Sequence, residues 1–191
     1  MKLIIKIRNV LYTFFRTIII APYNFFLCLK YPFWRMRNIW TGKSAGYMYT
    51  WYDDIPKGWR KAFGKQLSKD LKTALKKNGE LFSFRFSQIK EKWGELCLYN
   101  EGGSKEILDL ISYYEHLSIC YCINCGRPAR YISNGYVGYW CEKCGRKETS
   151  IKRLTKANIP VFQQYDPITE QWCKVDLGID YYKKWDIPRE N

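Results

Sequence analysis

Hydrophobic residues return at two different periods along this chain, and the change of period marks out its elements. In MKLIIKIRNVLYTFFRTIII, Lys2, Lys6, Asn9, Thr13 and Arg16 recur at steps of three and four, on one face of a helix. Leu3, Ile4, Ile7, Leu11, Phe14, Phe15 and Ile18 gather on the opposite face. Pro22 is expected to end or kink this helix, because it brings no N–H to the ladder. A second apolar stretch, YNFFLCLKYPFW, follows before the basic RMRN.

The helical period returns over Pro56 to Lys77, with Asp54 as a cap and Asn78-Gly79 as the stop. Trp59, Phe63, Leu67, Leu71 and Leu75 form its inner face, and Lys61, Lys65, Lys69, Lys72 and Lys76 form a ridge on another. The period then drops to two. Phe82, Phe84 and Phe86 alternate with Ser83, Arg85 and Ser87, and Leu96 and Leu98 with Glu95, Cys97 and Tyr99, which predicts a hairpin turning at Gly94. Ser104 to about Ile119 reads as a third helix with Ile107, Ile111, Tyr114 and Leu117 inward. ETSIKRLTKAN is expected to form a short helix before Pro160, and the aromatic tail to Asn191 to be extended and packed.

Four segments follow: a basic amphipathic arm (1–46), an α+β core of helix, β-hairpin and helix (47–119), a cysteine module (120–147) and a tail (148–191). A chain of 191 residues can bury one substantial core plus a small metal-stapled module.

Charge changes this picture most at the start. The formal net charge is +14, and residues 1–52 hold eight Lys or Arg and no acid. Such a bias implies a polyanionic neighbour, either nucleic acid or an anionic membrane surface. The longest uncharged run in the arm, Thr17 to Leu29, is thirteen residues, short of the roughly 20 that a spanning helix needs. The arm therefore reads either as a helix lying in a membrane interface or as one docking its apolar face on the protein's own core. The lysine ridge likewise reads either as a solvated face or as a surface that tracks phosphates or headgroups.

Cys122, Cys125, Cys141 and Cys144 give Cys-x2-Cys-x15-Cys-x2-Cys, a spacing that fits a structural zinc site. Two thiolates two residues apart reach one metal if the backbone makes a tight knuckle, for which Gly126 and Gly145 stand after each pair. Asn134-Gly135 supplies the turn of the hairpin between them, so a zinc ribbon is expected. Four thiolates fill a tetrahedral zinc and leave no place for a reacting water; a redox dithiol or iron is the remaining alternative. Cys120 falls out of register with the second pair, and Cys28, Cys97 and Cys173 read as buried thiols. The bases Arg127, Arg130, Lys143 and Arg146 stand among Tyr131, Tyr136, Tyr139 and Trp140. That mixture suits single-stranded nucleic acid, or else the aromatics glue the module to the core.

Other signals carry less. TGKS at Thr41–Ser44 lacks the upstream glycine of a phosphate-binding loop, since position 37 is Arg37, and reads as a turn. Glu91 and Glu95 read as turn and edge charges. His116, the one histidine, has no nucleophile at a telling spacing. No catalytic residue is assigned.

The order IPKGWRKAF, FRFSQIKEKWGELCLY, YYEHLS, CINCG, CEKC resembles a group of small uncharacterised bacterial and phage proteins. They share a Gly-Trp helix, a Gln-(Ile or Val)-Lys-Glu-Lys-aromatic-Gly hairpin and a terminal cysteine module. The resemblance covers about residues 55–146 and implies no activity. Together these readings lead to a non-catalytic zinc-ribbon protein that binds a polyanion, nucleic acid first, as an accessory factor. The alternatives are a peripheral membrane adaptor anchored by residues 1–34 that holds a protein partner, and a binder of an anionic nucleotide or small molecule. The expected location is the cytoplasm, in the adaptor reading at the inner face of a membrane.

Overall fold

Of the three helices that the period indicates, the middle one organises the rest. In the computed structural model, which describes residues 12–38, 41–133, 135 and 137–148 and the backbone of three later strands, the chain is mixed α+β. Leu3, Ile4, Ile7 and Leu11 lie outside the described residues, as do Asn134, Tyr136 and Pro160. The central helix α3 (57–77) comprises Lys57–Trp59, a π-turn at Arg60–Gly64 and Lys65–Lys77. Its expected inner face is buried throughout, with Trp59, Leu67, Leu71 and Leu75 wholly inaccessible. Asp54 is not its cap. Instead Thr50 and Asp53 form a capping box on the preceding short helix α2 (Trp51–Asp54), while the Asp54 carboxylate accepts from Tyr49 Oη at 2.8 Å. The stop is as expected: Asn78 Nδ2 and N–H both donate to the Ala74 carbonyl.

Strands β1 (Arg85–Lys92) and β2 (Glu95–Glu101) pair antiparallel across a two-residue turn, Trp93-Gly94, with φ of 56° and 81°. The first strand starts later than the alternation suggests. Phe82 is exposed, because residues 81–83 form a turn after α3, while Phe84 and Phe86 are buried. A bulge between Phe86 and Gln88 then shifts the phase, so Ile89 rather than Gln88 faces the core. Helix α4 (Lys105–Ser118) buries Ile107, Ile111, Tyr114 and Leu117 and closes the free side of β2. Ser118 Oγ accepts from Leu96 N–H at 2.9 Å, and Glu115 Oε1 accepts from Leu98 N–H at 2.6 Å. Helix side chains thus satisfy donors that a sheet edge leaves open.

The N-terminal helix α1 (Tyr12–Lys30) does not end at Pro22. A π-turn at Arg16–Ile20 lies just ahead of the proline, and Ala21 N–H reaches back to the Arg16 carbonyl. That wider turn absorbs the missing donor and lets the helix continue. The result is 19 residues long, and by length and composition enough to cross a membrane, which the uncharged run alone was not. One side of α1 is tied down. Asn24 is buried and donates to Asp53 Oδ2 at 3.2 Å, Cys28 is buried, and Arg16 Nη2 donates to the Met48 carbonyl at 2.5 Å. Phe14, Phe15, Ile18, Ile19, Phe26 and Leu29 are exposed, Phe14 at 63% and Phe26 at 67%.

Immediately after α1 the chain enters the core. In the turn Pro32–Trp34, Phe33 and Trp34 are wholly buried. The Trp34 ring stacks on Phe86 with centroids 5.1 Å apart, and its indole N–H donates to Ser68 Oγ at 3.0 Å. Thr41 lies in a turn closed by Gly42 N–H on the Asn38 carbonyl, and Ser44 bridges back to Arg37.

Beyond the core, β3 (Tyr131–Ser133) pairs with β4 (Tyr139–Trp140) on one side. Helix α5 (Glu142–Glu148) follows β4, and β5 (Leu154–Lys156) pairs with the other edge of β3. The short helix expected in ETSIKRLTKAN is therefore a strand over 154–156, recruited by an open sheet edge. In the tail, β6 (Phe162–Asp166) and β7 (Gln171–Val175) form a separate antiparallel pair.

Candidate metal centre

The first cysteine pair forms where α4 runs out into an irregular loop. Tyr121 bridges to Pro128, Cys122 N–H donates to the Arg127 carbonyl at 2.7 Å, and Gly126 N–H donates to the Cys122 carbonyl at 2.9 Å. Gly126 takes φ +79°, as a knuckle turning back on itself requires. The second pair is built differently. Cys141 and Cys144 sit at the start of α5, and Gly145 N–H donates to the Cys141 carbonyl at 2.9 Å in an ordinary helical step. Gly145 is a helical residue rather than the turn glycine expected from the repeat, because three residues along a helix already bring two sulfurs to one side.

The four sulfurs lie within 4.8 Å of one another, with Cys125 and Cys141 Sγ 3.5 Å apart. Tetrahedral zinc with bonds of about 2.3 Å would set its sulfurs about 3.8 Å apart, so the donor set has the size and softness for such an ion. Cys122, Cys141 and Cys144 are buried, and Trp140 and Ile123 pack against them. Burial pushes the Cys122 thiol up, and pushes Cys144 to about 12 with help from the neighbouring sulfurs. Cys125 is also penalised by burial, but the N–H and side chain of Arg127 overcome this and bring it to about 7. Asn124 Nδ2 lies 3.6 Å from Cys144 Sγ and donates to it. Bringing all four to thiolates in so small a volume requires a cation among them.

The module is joined to α3 by backbone, not only by greasy contact. Gly58 N–H donates to the Ile123 carbonyl at 2.9 Å, and the Trp59 indole donates to the Tyr121 carbonyl at 3.1 Å. A Cβ built at Gly58 would stand 2.2 Å from the Cys122 carbonyl oxygen, and one at Gly126 would stand 2.5 Å from that of Gly58. The sequence shows Gly-Trp only as part of a resemblance. A glycine at the start of a helix with an otherwise strong pattern is the one signal that hints at a close backbone approach.

The residues expected to meet a polyanion divide into two groups. On α3, Lys61, Lys65, Lys69 and Lys76 are exposed and Lys72 is half-buried against the Tyr31 ring. Near the sulfurs, Arg127 is half-buried and bonded to Cys125, and Arg146 Nε donates to Glu142 Oε1 at 3.1 Å; Arg130 and Lys143 remain exposed. Of the aromatics expected to meet a polyanion there, Tyr131 and Tyr139 are half-buried. Trp140 is buried and donates to Ser133 Oγ at 3.0 Å, and Tyr139 packs beneath the Gly94 turn. His116 Nδ1 lies 2.7 Å from Glu95 Oε1 in a half-exposed pair.

No protein-family model, no curated protein and no solved structure matches this chain. Fold and site together define a mixed α+β protein with a four-cysteine centre able to hold a metal ion.

Proposed function

We propose that this protein is a zinc-stapled adaptor that lies on an anionic membrane surface through the exposed face of α1, with the cysteine module in zinc-ribbon form. The observation that carries the reading is the exposure of Phe14, Phe15, Ile18, Ile19, Phe26 and Leu29 on one helix whose other side is anchored to the domain. An apolar face of that size on a soluble domain marks a surface that meets something apolar. Basic residues flank it: Lys30 ends the helix, Arg35 and Arg37 follow within seven residues, and Lys43 within thirteen. Apolar side chains beside Lys and Arg are what an interfacial helix on anionic lipid requires. Zinc is assigned from four thiolates in a closed set, which gives the metal a structural role.

Flotation of the full chain with vesicles containing phosphatidylglycerol tests the reading, alongside a F14S/I18S/F26S variant. Co-flotation of the parent and loss in the variant are expected. Equal flotation of both, or of neither, would overturn it. Metal content after purification without chelator should approach one zinc per chain.

A second reading is supported by the exposed ridge of Lys61, Lys65, Lys69 and Lys76, which is the shape of a phosphate-tracking surface. There the protein binds nucleic acid, and filter binding to single- and double-stranded DNA and RNA would show steep salt dependence.

A further inference from the structure

Two ammonium groups meet at one ring where α1 ends, with a third one helical turn away. Lys30 Nζ and Lys72 Nζ lie 5.5 Å and 5.4 Å from the centroid of the buried Tyr31 ring. Lys76 stands one helical turn beyond Lys72. Burial, then Lys76, then Lys30 lowers the Lys72 pKa, so these charges feel one another. Among the described residues none of the three forms an ion pair. The ion-paired carboxylates are engaged elsewhere: Asp53 with Arg60, Glu106 with Lys77, Glu95 with His116 and Glu142 with Arg146. Asp70, the acid on the same helix, accepts from Gln66 at 2.8 Å and from Tyr114 Oη at 2.5 Å.

Like charges held together in this way repel, and a bound anion relieves the repulsion. The ring face holds both ammonium heads from one side and leaves N–H groups turned away from it to donate. What sits beside the cluster narrows the anion further. Leu29 and Phe26, both exposed, precede Lys30 on the last turn of α1. A ligand spanning both features carries a negative head and an apolar tail.

We propose that Lys30, Lys72 and Lys76 form a seat for the phosphate of an anionic phospholipid, with its acyl chains against Phe26 and Leu29. This rests on the membrane reading above and adds a specific site to it. The seat sets the depth of the helix: its C-terminal end stands at headgroup level and the lysine ridge runs away from it.

The test compares full-length protein, K30Q/K72Q/K76Q and K61Q/K65Q/K69Q. The two triple variants remove equal charge. Each is floated with neutral phosphatidylcholine vesicles and with vesicles containing one third phosphatidylglycerol. Near-surface lysines contribute roughly fivefold each. The parent is therefore expected to prefer anionic vesicles, K30Q/K72Q/K76Q to lose on the order of 100-fold of that preference, and K61Q/K65Q/K69Q to keep most of it. Equal losses in the two variants would overturn the seat and leave the membrane reading intact. Parent protein that floats with neither vesicle would overturn both. In a separate arm, inorganic phosphate at millimolar concentration should not displace the protein from anionic vesicles; displacement would assign the seat to free phosphate instead. Unchanged thermal unfolding of both variants is expected, since Gln keeps the stem.

Discussion

The N-terminal helix is tied to the 48–54 segment and the cysteine module to α3, and the two are held in opposite ways. The module is fitted through its backbone. Gly58 and Gly126 allow carbonyls to approach where any Cβ would collide, and Trp59 and Gly58 donate into the first cysteine loop. Helix α1 is held by a few side chains on one side, Asn24 on Asp53 and Arg16 on Met48, and leaves its largest apolar residues outside. A close-packed joint of the first kind transmits strain and tolerates no added methyl. A one-sided joint of the second kind holds position while keeping a surface free.

The largest effect should come from the metal. Cys144→Ser, or removal of the ion by a strong chelator, is expected to cost more than about 3 kcal/mol, because the free energy of metal binding is folding free energy in such sites. Urea unfolding with and without chelator measures it, and unchanged midpoints would detach the module from the core's stability. With burial holding Cys122 and Cys144 protonated in the absence of metal, reloading should release protons into a weakly buffered solution.

Gly58→Ala comes next and tests the joint alone. In a free helix this change stabilises by about 0.5–1 kcal/mol. Against the Cys122 carbonyl it should instead destabilise by about 1–3 kcal/mol and weaken metal retention. Trp59→Phe, which removes the donor to the buried Tyr121 carbonyl, should cost about 2 kcal/mol with less effect on the metal. A stabilising Gly58→Ala would mean that the module stands off from α3.

Smaller still is the effect of the carboxylate that closes β2. Burial raises the Glu115 pKa above 4.5, outweighing the Leu98 N–H that lowers it. A raised folded value means the contribution to stability is fully present below 4.5 and is lost as pH rises through the folded pKa. Glu115→Gln keeps an acceptor for Leu98 and should flatten that loss, seen as a smaller fall in urea midpoint between pH 4 and pH 8. An unchanged pH profile would show that Glu115 is not the group responsible.

The smallest effect on stability belongs to α1. Substituting Phe14, Ile18 and Phe26 by Ser should move the unfolding free energy by no more than about 0.5 kcal/mol each, as for exposed positions generally. The same variant should lose vesicle binding, so the two regions separate one assay from the other. A large drop in stability would mean that this face is covered in solution.

Much of the core was legible because its period is local. Trp59 through Leu75 and Ile107 through Leu117 fall on buried faces where the pattern puts them. The alternation at Phe82, Phe84 and Phe86 misled at one end and needed a bulge at the other, since a strand's phase is set by its partner and not by its own residues. Pro22 does not end the helix, one of the two outcomes expected of it, because a π-turn ahead of it takes up the missing hydrogen bond. Arg127 and Arg146 looked like free bases, and the fold engages one with Cys125 and the other with Glu142.

By itself the sequence determined the two cysteine pairs, the inner faces of α3 and α4, and the lysine ridge, each of which depends on spacing within one segment. It also determined that α1 has an apolar side. The tertiary structure alone decided what covers each face. It put two glycines against each other beneath the first cysteine pair, brought Lys30 to Lys72 across Tyr31, and left the apolar side of α1 uncovered. Periodicity records which side of an element is apolar. The neighbour that meets that side is fixed by contacts between residues far apart in the chain.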